Sequence, residues 1–370
     1  PPARLPAEQH AWNAVLRTDA DGNPLLPRHH RIVLLELARR PDPDGAARVE
    51  DALRTLERRY RYGPEGLLTL LAWGPAYFRA IGVATPIPPA APLNADEAPE
   101  IDDVAGCLVL AADDERRLEL VVRELFDGLA TALAPRLDLR PVLRAREVRT
   151  GFTGAGLPRR AQVAADGLGV SRPIPREAPL FMGFRSGLRR NQATEADVTI
   201  GAGPFAGGTT LHLSLIALEL ESWYELSEAD RVARMFAPQL TPADVARFTD
   251  DAPVPVESVE RTAARYGRVG HTQALAVMRR NGRPRILRRD VATVDGGGPG
   301  VHFLSLQRSI DDFVATRRAM TAARSRRAPQ LTGQLNNGIN EWMRVVRRGN
   351  YLVPPRAKRS FPLLREAGDA

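Results

Sequence analysis

The sequence has one cysteine and one lysine. Cys107 stands alone in an apolar run, which excludes a disulfide framework and a thiolate metal site and leaves it a packing residue. With Lys358 the sole lysine, the basic residues are almost all arginine, as coding bias in a GC-rich genome would produce. Aromatics make up 6% of the chain, too few for platforms that stack bases. The arginines are spread out beside 44 acids, so the net charge of +8 does not point to nucleic acid. No run of about eighteen uninterrupted apolar residues occurs, and no membrane-spanning helix is expected. Residues 1–30 carry charges and prolines where a secretory signal has its apolar stretch, and the chain begins at Pro1. Address is not legible from that end.

What is present suits a folded protein. At 370 residues and 44% hydrophobic, the chain can bury a large core as one large domain or two smaller ones. RIVLLELARR (31–40) reads as a strand, with His29 and His30 before it in a loop. ARVEDALRTLERRY (47–60) places Val49, Leu53 and Leu56 at helical spacing. GLLTLLAWG and VAGCLVLAAD read as strands, ERRLELVVRELFDGLA as a helix, and EVRTGFTGAG closes the first half. The Gly-, Pro- and Arg-rich stretch from Leu157 to Pro179 reads as a connection. Beyond it the order repeats, with a strand at 209–220, a helix at 223–238, a strand at 301–309 and a helix at 310–320. The expected fold is α+β, two ferredoxin-like halves packed as a dimeric α+β barrel within one chain. The expected divisions are 1–156 for the first half, 157–180 for the connection and 181–370 for the second half. Gly207-Gly208 and Gly296-Gly297-Gly298 follow neither phosphate-loop nor dinucleotide spacing and read as turns.

Motifs in a particular order carry a resemblance over nearly the whole length: LAWGPAYFRAIG, DDVAGCLVLAADD, FMGFRSG, GGTTLHLSLIALELESWYELS, GHTQAL, RPRILRRD, GVHFLSLQRSIDDF and NEWMRVVRRGNYLVPP. Each is degenerate alone; together and in sequence they resemble the dye-decolorising peroxidases. The resemblance implies haem b (iron protoporphyrin IX) held by the second half, with His271 of GHTQAL as the iron ligand. It also implies that Glu341 of NEWM accepts the other ring N–H of that histidine, which would strengthen the ligand. His212 and His302 lie within strands, where partial burial accounts for them.

On the opposite face of the haem, the family uses an Asp in a Gly-x-x-Asp-Gly motif and an Arg in an Ile-Leu-Arg-Arg segment. The Arg is kept as Arg288. The motif stands here as Gly183, Phe184, Arg185, Ser186, Gly187, so a serine replaces the acid, and a hydroxyl cannot exchange a proton near neutral pH as a carboxylate can. Asp290, two places after Arg288, is a candidate to supply that group from elsewhere in the pocket, against a simple role pairing Arg289 or capping a turn. Gly183 and Gly187 are expected where backbone approaches the porphyrin, Phe303 on the wall of the distal face, and Arg189 with Arg190 near the haem propionates.

The function so implied is a haem-dependent oxidoreductase that reduces hydrogen peroxide while oxidising an unknown organic reductant, with altered or weak activity. Two alternatives stay open, a haem-binding, transport or sensing protein without turnover and a barrel that holds no haem. A homo-oligomer is compatible with the sequence. Because many members of the family are exported through the twin-arginine route, the resemblance favours an extracytoplasmic address.

Overall fold

A computed structural model of the chain describes residues 5–129, 135–246, 259–276, 278–320 and 335–364. The first half supplies strand β1 (His29–Leu37), helix α1 (Pro43–Arg59), strands β2 (Leu68–Trp73) and β3 (Gly106–Ala112), helix α2 (Glu115–Phe126) and strand β4 (Leu143–Phe152). Asp42 starts α1 by accepting from the Gly45 N–H, with Pro43 in the first turn, and Asp114 starts α2 by accepting from the Arg116 and Arg117 N–H groups. Val49, Leu53 and Leu56 form the buried stripe of α1. Each such side chain contributes roughly 1.5–3 kcal/mol by leaving water.

The second half supplies strand β5 (Thr209–Leu218), helices α3 (Glu221–Glu225), α4 (Glu228–Met235) and α5 (His271–Ala276), strands β6 (Leu287–Arg288), β7 (Val291–Thr293) and β8 (Gly300–Gln307), helix α6 (Ile310–Ala319) and strand β9 (Met343–Val353). Within the halves the strand orders are β4-β1-β3-β2 and β7-β8-β5-β9, which is one ferredoxin-like order read in opposite directions. Single antiparallel residue pairs, Ala292 with Phe152 and Leu352 with Trp73, join the two sheets and close an antiparallel barrel of eight strands. Closure removes the open sheet edges that would invite pairing with another chain.

Side-chain alternation then sorts the faces. Ile32 and Leu34 of β1 point into the barrel, while Val33 and Leu35 join the core under the helices of the first half. Leu211 and Leu213 of β5 and Leu304 and Leu306 of β8 also fill the barrel. The opposite face of that second sheet is where a cavity opens, because Ser214, Ile216, Val301 and Phe303 line it instead of packing under a helix as in the first half. A register shift in β9 between Val345 and Arg347 lets Met343, Val345 and Arg348 all reach this face, which strict alternation would forbid.

Three local expectations change. His29 and His30 begin β1 rather than a loop, and His30 is buried in the barrel. The helix expected over 223–238 is two helices, because Leu226 is extended and Ser227 caps α4 by accepting from the Asp230 N–H. Within the stretch read as a connection, Leu157–Ala164 forms a helix with Pro158 in its first turn. No helix among the described residues is long and apolar enough to cross a membrane.

Candidate functional site

His271 is the first residue of α5, and its backbone is held from two sides. The Val269 N–H donates to Asn336 O and the Gly338 N–H donates to Val269 O, both at 3.0 Å. On the other side, Thr272 Oγ1 donates to Met235 O at 3.0 Å, and the Gln273 N–H to Phe236 O at 3.3 Å. Gly338 has φ +64° and lies against His271 so closely that a Cβ would come within 2.8 Å of the histidine Cα. Gly338→Ala combines left-handed strain with overpacking and is expected to destabilise the fold by about 2–4 kcal/mol, as denaturant titration would read.

The His271 ring faces the cavity and has no hydrogen-bond partner among the described residues. Burial lowers its pKa to about 3, helped by the Arg288 and Arg317 charges, so the imidazole is neutral with a lone pair to offer.

The same cavity is lined by Ser186, Arg288, Asp290 and Phe303. Its space, including the mouth open to solvent, is about 1280 Å³. Arg288 and Asp290 share the cavity face, whereas Arg289 between them turns into the barrel, pairs with Glu195 at 2.7 Å and lies over the Trp12 ring. Asp290 therefore does not pair with Arg289. Ser186 Oγ donates to Asp290 Oδ2, and Asp290 Oδ1 is buried without a hydrogen-bond partner. Burial raises the Asp290 pKa to about 6, against the opposing pull of the Arg288 charge, the Ser186 hydroxyl and the Leu304 backbone. The Arg288 guanidinium donates to Asn191 O at 3.3 Å and makes no ion pair among the described residues.

Other expected residues lie elsewhere. Glu341 accepts from Arg234 and has no hydrogen bond to His271, because the short turn Asn340–Trp342 aims it at α4. Arg189 is outside the cavity lining, with its guanidinium against Gly22. The Arg190 side chain is outside the described residues. Gly183 (φ +89°) and Gly187 (φ +81°) are left-handed, and no backbone atom lies within 3.4 Å of a Cβ built on either. Backbone conformation is what calls for glycine there.

His212 is held at both ring nitrogens by Asn350 and Ser214 at 2.7 and 2.8 Å, and His302 meets Asp295 through Nε2 at 2.8 Å. Burial pushes the Cys107 thiol up to about 12, which leaves it inert.

Sequence reasoning missed a second polar group in the cavity wall. Arg317 Nη2 and Arg348 Nη1 each donate at 2.8 Å to Glu97, which comes from the Pro-rich loop of the first half. Burial raises the Glu97 pKa, but hydrogen bonding from Arg348 and the two cationic charges outweigh it and hold the group below the usual carboxylate range. Two guanidinium groups thus share one carboxylate, and the buried Arg348 Nε has no hydrogen-bond partner. Arg317 lies outside the quoted motifs, and Arg348 is one of three arginines in NEWMRVVRRGNYLVPP with nothing to single it out in a chain with 52 basic residues.

The closed α+β barrel, as a fold, is shared with solved structures of dye-decolorising peroxidases. A DyP-type peroxidase from Cellulomonas bogoriensis superposes with a TM-score of 0.61 at 21% identity, covering 89% of this chain and 90% of that one. A dye-decolorizing protein from V. cholerae gives 0.59 at 13% identity, covering 95% and 99%. A DypB variant from Rhodococcus jostii in complex with haem gives 0.59 at 14% identity, also covering 95% and 99%. Over residues 27–355 the chain matches the family of unknown function DUF7405, and it belongs to that family. No curated protein matches its sequence.

Proposed function

We propose that the cavity binds haem b through His271 and that the protein uses it to reduce hydrogen peroxide while oxidising an organic substrate. One observation carries this reading: the neutral His271 ring and the Arg288–Asp290–Ser186 group line the same apolar cavity. The remaining wall suits the cofactor as well. A porphyrin is a flat apolar ring with two carboxylates, and this wall is apolar with surplus positive charge at Arg317 and Arg348 and an unused buried N–H at Arg348 Nε. Arg317 and Arg348 would hold the propionates in the place first expected of Arg189 and Arg190.

Bound haem would supply an iron able to take oxidising equivalents from peroxide. The protein's own groups supply the rest. Arg288 stabilises negative charge on the departing oxygen as the O–O bond of peroxide breaks. Asp290 takes the proton from the near oxygen at its carboxylate and returns it to the far one. Ser186 holds Asp290 through Oδ2 and leaves Oδ1 as the spare acceptor. Phe303 keeps water from that side of the cavity.

Titration of haem-free protein with haem b tests the reading. A saturable Soret band, followed by turnover of a phenolic dye with peroxide, is expected, and absence of the band would reject it. A band without turnover would leave a haem-binding protein. If the propionates meet Arg317 and Arg348, haem dimethyl ester should bind about ten- to a hundredfold more weakly, the loss typical of hydrogen bonds to charged groups. Equal affinity in the same titration would place the propionates elsewhere.

A further inference from the structure

Oxidisable side chains are unevenly placed. The chain has five methionines, and four of them, Met182, Met235, Met320 and Met343, line the cavity. They arrive from four separate places: the stretch before the FRSG motif, the end of α4, the end of α6 and the start of β9. Among the described residues no tyrosine, tryptophan or cysteine lines the cavity. Nearby aromatic groups are turned to other tasks. Trp223 packs on Trp342 with ring centroids 5.2 Å apart, and the Tyr224 hydroxyl donates to Phe181 O at 2.7 Å. The thioethers are therefore the most readily oxidised side chains facing the space where peroxide would react.

We propose that Met182, Met235, Met320 and Met343 are built-in oxygen acceptors, converted to sulfoxides when peroxide enters the haem-loaded cavity without an organic reductant. This rests on the haem and peroxide reading above. In each event one oxygen atom passes from hydrogen peroxide to a thioether sulfur. The O–O bond breaks and an S=O bond forms; the sulfur gives up two electrons, and the peroxide leaves as water. The product is polar and chiral where the methionine was flexible and apolar, so successive events make the wall less hospitable to an apolar macrocycle. Peroxide in excess of reductant thereby ends the site's own activity.

Met278 is an internal control, being half-buried and outside the cavity lining. Haem-loaded and haem-free protein would be given hydrogen peroxide in stepwise equivalents, with peptide mass mapping and the Soret band followed together. In the loaded protein, sulfoxide is expected at the four cavity methionines several-fold ahead of Met278, preceding loss of the band; without haem the preference should vanish. Met→Leu at all four positions, which nearly conserves volume, should keep the band several-fold longer at the same peroxide dose. Oxidation of Met278 first, the same order with and without haem, or bleaching while the four thioethers stay intact would each overturn the proposal and leave the haem reading standing. Failure to form a Soret band on adding haem would overturn both. Should the fourfold variant not fold, the mass map of the native chain decides alone.

Discussion

His271→Ala is expected to lose nearly all haem affinity, well beyond the ten- to hundredfold usual for removing an outer partner of a metal ligand. The expectation follows from three features of the position. Burial and two nearby arginine charges keep the ring neutral, so no proton competes for its lone pair at working pH. Its ring also has no hydrogen bond to other described residues, and its backbone is tied to the 336–338 segment and to the end of α4. The variant protein titrated with haem b should show no saturable Soret band, and a band of native position and affinity would remove His271 from the iron.

The second large effect belongs to Asp290. General acid–base groups contribute about a hundred- to ten-thousandfold, so Asp290→Asn should slow the reaction with peroxide by that order in stopped-flow traces, while Ser186→Ala should do little. Since the carboxylate form accepts the proton, the native rate should rise with pH through about 6 and level off above it. Stability should move the other way. An Asp whose folded pKa lies near 6 and whose reference value is 3.8 carries no penalty when protonated in both states. The penalty grows as pH rises between those values and is complete above the higher one. A shift of this size corresponds to about 3 kcal/mol, and at 9% exposure solvent screens it little. Asp290→Asn should therefore equal the native protein in stability at pH values below about 4 and exceed it by up to about 3 kcal/mol near neutrality, in denaturant titrations at several pH values. Such a variant would be more stable and less active, the trade expected of a group buried for chemistry. A variant with native rate and a flat pH profile would return Asp290 to a capping role and leave the cavity without a proton carrier.

Residues from distant parts of the chain make both sites. Asp290 and Ser186 are 104 residues apart, and Arg348 and Glu97 are 251 apart. Strand periodicity by itself places Arg288 and Asp290 on one face with Arg289 on the other. Nothing in the local pattern says which face looks on the cavity, or that Ser186 reaches across to the carboxylate. The reassignment of Glu341 has the same origin. A turn residue beside an aromatic can reach several neighbours, and the angle of Asn340–Trp342 gives it Arg234.

Most of the elements and their order were legible in the amino-acid pattern, because helix and strand follow from the spacing of apolar residues and from caps such as Asp42, Asp114 and Ser309, all local properties; the break between α3 and α4, the helix at Leu157–Ala164 and strands β7 and β9 were not. Motif order also brought out His271 and Arg288. Tertiary packing assigns the partners: Ser186 for Asp290, Arg234 for Glu341, Glu97 for Arg317 and Arg348. In a chain whose cations are nearly all arginine, charge type cannot tell one candidate from another. A buried ion pair is selected by the distances that barrel closure and the β9 register shift impose, and those distances exist only once the two halves have packed.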